Sequence, residues 1–139
     1  MKNKRITILI KNLSLEFDKI ANPRLAPYDL TLTQFKILKY LYDYDNVIGK
    51  DIEKAYSMTN PTVTGVIENM EKHDWIKRVP NPNDARSKII KLTDKAFRKK
   101  EELHKLGDDL EKSFTKDLTI TEQKELFTLL NKMMEGMNK

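Results

Sequence analysis

A chain of 139 residues, 34% of them charged, with four glycines and five prolines, suits one helix-rich globular domain rather than a β-sandwich or a disordered tail. Its longest apolar runs are a few residues, too short to span a bilayer, and with no cysteine there is no disulfide framework, thiolate metal site or thiol redox switch. The net charge of +5 is unevenly placed: ten Lys or Arg and five Asp or Glu lie between Thr59 and Lys100, while the rest of the chain carries sixteen of each sign. The whole excess therefore sits in one third of the chain, a footprint that suits a polyanion partner.

The basic start, Met1 to Arg5, precedes an apolar run that Lys11 and Glu16 interrupt, and no small-residue cleavage site follows. A signal peptide is not expected, and the cytoplasm is the default location. Ile6, Ile10, Leu13, Phe17 and Ile20 alternate steps of four and three, the seam of an amphipathic helix with a heptad-like stripe. Such a stripe near a terminus is a natural partner-binding surface. Asn22-Pro23 and Pro27 are expected to end this helix.

Thr31 and Gln34 form a capping box for a second helix, predicted to bury Phe35, Leu38, Leu41 and Tyr42. Asp43 to Asn46 is a polar break, and a short third helix after Gly49 is predicted to turn Ile52, Ala55 and Tyr56 inward. Asn60-Pro61 then signals a fourth helix, with Asn as cap and Pro at the first helical position. Val63, Val66, Ile67 and Met70 form its buried face, and it runs to about His73 or Asp74.

From Trp75 the period changes. Ile76 to Val79 and Ile89 to Leu92 read as two short strands around a polar turn, Pro80 to Asp84. Thr93-Asp94 starts another helix, in which Leu103, Leu106, Leu110 and Phe114 make a stripe. Thr119 and Glu122 are a further capping box, and the last helix is predicted to bury Leu126, Leu129, Leu130, Met133 and Met137. The fold class expected is mainly α with a small β-hairpin, a winged helix-turn-helix between flanking helices.

In that arrangement the helix beginning at Asn60 enters the major groove and the hairpin reaches the backbone or the minor groove. With Val63, Val66, Ile67 and Met70 inward, Pro61, Gly65, Glu68 and Lys72 face out, flanked by Thr62, Thr64 and Asn69. Small and hydroxyl-bearing residues allow close approach, free N–H groups at the helix start suit a phosphate, and Asn69 is a candidate base reader. Glu68 opposes phosphate unless it accepts from a cytosine amino group. At the wing tip, Arg86 suits a narrow minor groove, with Asp84 placed to hold its guanidinium, and Lys88 and Lys91 suit nearby phosphates. The expected DNA-binding set is thus Asn60, Pro61, Thr62, Thr64, Gly65, Asn69, Lys72, Asp84, Arg86, Lys88 and Lys91.

The run from Leu30 to Lys95 resembles the MarR family of winged-helix bacterial transcription regulators. The likeness is carried by Leu32-Thr33-Gln34-Phe35, Pro61 to Ile67, Trp75 to Arg78, Asn81-Pro82-Asn83-Asp84-Ala85-Arg86 and Leu92 to Lys95, with Asp84 and Arg86 in the family's Asp-x-Arg position. The flanking helices follow the same layout. The resemblance implies a homodimeric repressor on a pseudo-palindromic site in double-stranded DNA, held together by the first and last two helices. The division expected is 1–28 for an N-terminal dimerisation helix and loop, 29–95 for the DNA-binding lobe and 96–139 for C-terminal dimerisation helices. Ile6, Ile10, Leu13, Phe17, Leu126, Leu130, Met133 and Met137 are the expected dimerisation residues.

Two positions depart from the family pattern. Gly65 stands where many members carry arginine, and Asp74 where many have glycine; Asp tolerates the left-handed backbone better than most residues. The family also implies a small-molecule effector, for which Phe17, Tyr28, Tyr40, Tyr42 and Tyr56 are candidate lining residues, although each also suits plain core. His73 and His104 lie in different elements, so no metal is expected, nor any cofactor. No phosphate-cradling glycine loop or nucleophile–histidine pair is present, and an enzyme is not expected. The alternative reading is a winged-helix module whose basic hairpin binds an acidic protein.

Overall fold

The structure, a computed structural model, describes residues 4–138. Met1 to Asn3 of the basic start and Lys139 lie outside the described residues. The chain divides into two compact units, one up to Lys105 and one from Leu106.

In the first unit, α1 (Ile6–Leu25) leads through a single 3₁₀ turn (Ala26–Tyr28) into α2 (Leu32–Asp43), α3 (Gly49–Tyr56) and α4 (Asn60–Lys72). Strands β1 (Ile76–Pro80) and β2 (Lys88–Leu92) pair antiparallel, with Ile76 opposite Leu92 and Pro80 opposite Lys88. Then come α5 (Asp94–Arg98) and α6 (Lys100–Thr115), which crosses into the second unit, and α7 (Ile120–Met137). This is the expected order of a winged helix with flanking helices.

The core of the first unit is built from one face of each element. Phe35, Ile37, Leu38 and Leu41 of α2, Ile52 of α3, and Val63, Ile67 and Met70 of α4 are buried with Trp75, Ile76, Ile89 and Ile90 of the hairpin. Val66 and Tyr42 are half-buried. The Tyr42 hydroxyl donates to the Ala96 carbonyl at 2.6 Å, and its desolvation pushes the phenol pKa up to about 12. Ala55, expected inside, is exposed; α3 has only eight residues and turns one narrow face, centred on Ile52, to the core.

The capping boxes form as expected. Thr31 Oγ1 accepts from Gln34 N and Gln34 Oε1 from Thr31 N, and Thr119 and Glu122 repeat the pattern before α7. Three boundaries differ from the sequence reading. Helix α1 passes through Pro23 and ends at Leu25. A proline there removes one hydrogen bond, whereas Ala21 and Leu25 are fully buried on that last turn, and a buried leucine contributes about 1.5–3 kcal/mol. Burial wins. The cap of α4 is Thr59 rather than Asn60, its Oγ1 accepting from Thr62 N at 3.4 Å, so Pro61 occupies the second helical position. The helix after Thr93 is two helices, interrupted at Lys99.

The sequence reading also missed a third pairing. Val47, in the break between α2 and α3, forms an isolated antiparallel bridge with Ile90, whose N–H donates to the Val47 carbonyl at 2.8 Å. A two-stranded hairpin alone is marginal in water, and this bridge ties it to the helical core. At the other end, Asp74 takes φ 63°, as expected of the turn after α4. Thr93 Oγ1 donates to the Asp74 carbonyl at 2.7 Å, and Lys95 Nζ donates to the His73 carbonyl at 2.9 Å while lying 4.2 Å from the centre of the Trp75 ring.

The terminal helices carry the largest correction. Leu126, Leu129, Leu130, Met133 and Met137, expected buried, are all exposed in the single chain, Met137 at 76%. Helical periodicity marks an apolar face but not what covers it. On α1, Ile6, Ile10, Leu13 and Ile20 are likewise exposed, and Phe17 is half-buried. On α6, Leu103, Leu106 and Leu110 are buried as read, and Phe114 is partly exposed.

Candidate nucleic-acid interface

All the residues singled out on α4, namely Asn60, Pro61, Thr62, Thr64, Gly65, Asn69 and Lys72, are exposed. They do not form one patch. The helix presents two flanks to two different grooves.

The first is a cleft of about 460 Å³ between α3, α4 and the hairpin. It brings together Asn60, Thr64, Asp84, Arg86 and Lys88 from the expected set and adds Lys50, Arg78 and Ser87, which the sequence reading did not select. Lys50 arrives because α3 begins at Gly49 against the start of α4, a tertiary neighbourhood with no local signature. Asn60 Nδ2 donates to Glu53 Oε2 at 3.2 Å, so this side chain braces α4 on α3.

The second is an open groove of about 700 Å³ between the starts of α2 and α4. Pro61, Thr62, Gly65 and Asn69 line it, with Thr33, Gln34 and Lys36 from α2. The Thr59 hydroxyl donates to Thr62 Oγ1 at 2.9 Å, which leaves the Thr62 hydroxyl hydrogen available as a donor. The Thr62 N–H is taken by its cap, so it is not among the free N–H groups at the helix start. A Cβ built on Gly65 meets nothing within 4 Å. Asn69 is held by the buried Gln34, whose Nε2 donates to Asn69 Oδ1 at 2.7 Å.

The wing tip is pre-shaped by short polar side chains. Asn81 Oδ1 accepts from Asn83 N at 3.0 Å, and Asn81 Nδ2 donates to Ser87 Oγ at 2.9 Å. Asp84 Oδ1 accepts from Arg86 N at 2.9 Å and from Arg86 Nε at 3.3 Å, the pairing expected from the Asp-x-Arg spacing. The Arg86 side chain is 92% exposed, so its charge faces water.

The two strand lysines part company. Lys88 shares a strand face with Ile90 and looks into the cleft, whereas Lys91 stands opposite Lys77 on the other face. Like charges directly across a strand pair repel, so the Lys77–Lys91 pairing weakens the hairpin slightly, and neither lysine lines the cleft. Lys72 lines neither groove.

The candidate effector aromatics do not gather. Tyr40 and Tyr56 meet at 6.1 Å between ring centres, Tyr42 bonds the Ala96 carbonyl, and Tyr28 donates to Glu102, which pushes the Tyr28 phenol up.

A sequence of this kind and a fold of this kind have known relatives. The multiple antibiotic resistance protein MarR of Escherichia coli K12 is 32% identical over 127 residues, which are 91% of this chain and 88% of that protein. The chain belongs to the MarR family. The MarR family model matches residues 30–88, the helix-turn-helix and the wing up to Lys88. The HTH-type transcriptional regulator MgrA of Staphylococcus aureus is 31% identical over 85% of this chain and 79% of that protein. Among solved structures, a mutant E. coli MarR complexed with operator DNA superposes with a TM-score of 0.84 at 32% identity, covering 92% of each chain. The S. aureus MepR–DNA complex gives 0.87 at 28% identity, covering 96% of this chain and 99% of that one.

Proposed function

We propose that this MarR-family chain is a sequence-specific DNA-binding transcription regulator that acts as a homodimer on a pseudo-palindromic site. The observation that carries the reading is the cleft in which Thr64 of α4 faces Arg86 and Lys88 of the wing, with Lys50 beside them. A duplex seated there meets a helix face in its major groove and cations along its phosphates. The relatives crystallised with DNA support the same reading.

Residues 29–95 are the proposed DNA-binding lobe. The flanking segments 1–28 and 96–139 supply dimerisation surfaces, through the exposed apolar residues Ile6, Ile10 and Leu13 of α1 and Leu126, Leu130, Met133 and Met137 of α7. Two lobes fixed in a dimer place two α4 helices on half-sites about one helical turn, roughly 10 base pairs, apart. The mode of action we propose is repression by occupancy of the site, in the cytoplasm. Among the described residues no helix is long and apolar enough to cross a membrane.

The test is binding to duplex DNA from the protein's own upstream region across a series of salt concentrations. Affinity should fall steeply with salt as neutralised phosphates release counterions, and scrambled duplex should bind more weakly. Equal affinity for scrambled DNA, or a flat response to salt, would sink this reading.

A further inference from the structure

The polarity of one hydrogen-bond chain, starting at a backbone amide, sets which way Asn69 faces the outside. A backbone N–H can only donate, so the group that Thr31 N meets at 3.1 Å must be the carbonyl oxygen of Gln34, Oε1. That choice places Gln34 Nε2 on the other side of the same amide, where it donates to Asn69 at 2.7 Å. The atom receiving it must be Oδ1. Asn69 Nδ2 makes no hydrogen bond among the described residues, so both of its hydrogens are free on an exposed side chain.

Gln34 has little freedom to do otherwise. It is 7% exposed, and its other interaction is the capping box that starts α2. An amide is ordinarily an ambiguous reader, because either end can be turned toward the ligand. Here the ambiguity is removed two residues upstream of the base.

We propose that Gln34 is a positioning residue for specificity, and that it makes Asn69 a donor-first reader of the major groove. The inference rests on the DNA-binding reading above and deepens it: with α4 in the major groove, Asn69 lies on the flank turned toward α2, opposite the wing cleft, and meets base edges on that side. A donor-first Asn69 favours guanine, whose N7 and O6 both accept, or thymine through O4, and it rejects cytosine, whose N4 only donates. Adenine ranks between them, with N7 accepting beside a donating N6. The familiar paired contact of asparagine to adenine uses the oxygen as well, and in this chain that oxygen is engaged by Gln34.

The substitution Gln34→Glu inverts the chain while keeping the cap. A capping box accepts Glu as well as Gln, so one carboxylate oxygen still takes the Thr31 N–H. The other oxygen now accepts where Nε2 donated. The Asn69 amide turns to donate to it, and Oδ1 faces outward to accept from cytosine N4 or adenine N6. Asn69→Ala, on an exposed position, removes the reader altogether.

The experiment is selection from a randomised duplex library, with sequencing of the bound fraction, for the full-length wild type, Gln34→Glu and Asn69→Ala, each checked for cooperative thermal unfolding. The wild type should show a guanine or thymine preference at one symmetric pair of positions, of roughly five- to tenfold over cytosine. Asn69→Ala should flatten that pair alone, and Gln34→Glu should shift it toward cytosine or adenine. A wild type that selects a site whose every position is unchanged in Asn69→Ala overturns this inference and leaves the regulator reading standing. So does a folded Gln34→Glu that keeps the guanine or thymine preference. If Gln34→Glu does not fold, the Asn69→Ala profile and the wild-type ranking of cytosine decide. A wild type that enriches no sequence overturns both readings.

Discussion

Glu71, in the last turn of α4, grips Arg78 of β1 by backbone and side chain together: Oε2 accepts from Arg78 N at 3.3 Å, and Oε1 accepts from Nε at 3.2 Å and Nη2 at 2.7 Å. The pair fixes the angle between the helix and the wing, the two parts of the cleft. It also means that Arg78, although it lines that cleft, already spends its charge on a carboxylate.

The Arg78 guanidinium holds the Glu71 carboxyl below its ordinary 4.5, against a smaller opposing effect of burial. An acid whose folded pKa is depressed contributes stability that is complete above the unfolded value and lost as pH falls through the folded one. Both side chains are about one third exposed, so solvent screens the pair, and Glu71→Gln should cost about 0.5–1 kcal/mol at neutral pH. In urea unfolding the gap between variant and wild type should narrow as pH falls below 4.5 and close once the folded carboxyl is protonated. A gap that is undiminished in acid would show that the ion pair is not its source.

Arg86→Ala should separate binding from folding. The side chain is almost wholly solvated, so its removal should change stability by less than about 0.5 kcal/mol. DNA affinity should drop, and if Arg86 neutralises one phosphate the slope of log affinity against log salt should fall by about 1. Unchanged affinity and slope in a titration of the upstream duplex would remove the wing tip from the interface.

Gly65 offers a gain rather than a loss. It sits inside α4 with open space around its missing Cβ and no positive φ. Gly65→Ala should therefore raise stability by about 0.5–1 kcal/mol, read as a higher melting temperature. Gly65→Arg should be tolerated as well and should strengthen binding to any duplex, most visibly at low salt. A fall in melting temperature for Gly65→Ala would mean that the helix surface there is occupied.

The proposed dimer interface uses apolar faces of α1 and α7 that the single chain leaves exposed. Leu13→Asp and Leu130→Asp each place a charge where a partner would desolvate it, at a cost of several kcal/mol. Sedimentation at micromolar concentration should give a dimer for the wild type and a shift toward monomer for either variant, with operator affinity falling in parallel. A wild type that sediments as a stable folded monomer would refute the arrangement.

Much of this was legible in the sequence because the signals are local. Both capping boxes, the 3.6-residue period of α4, the change of period at Trp75 and the Asp84–Arg86 spacing each lie within a few residues of one another. Errors arose where two local rules competed or where packing decided. Thr59 and Asn60 are both good caps, and the local ranking favours Asn60, whereas the structure uses Thr59. Pro23 is a helix breaker whose cost is outweighed by burial of its neighbours. Lys50, Arg78 and the link from Gln34 to Asn69 depend on which segments the fold brings together, a relation that periodicity does not encode. The stripe on α7 was read correctly as apolar, but its burial within one chain was not.

The bridge from Ile90 to Val47 has a consequence for how such a protein can diverge. It roots the wing in the helical core at the middle of β2, while the tip from Asn81 to Ser87 is held by hydrogen bonds within itself, from its short side chains and its backbone turns. Residues at the tip can be exchanged, lengthened or shortened without disturbing the root, so new operators can be explored there at little risk to folding. A one-residue slip at the root is another matter, because it would exchange the strand faces and turn both Ile90 and Lys88 the wrong way. The wing is thus a replaceable fingertip on a fixed knuckle.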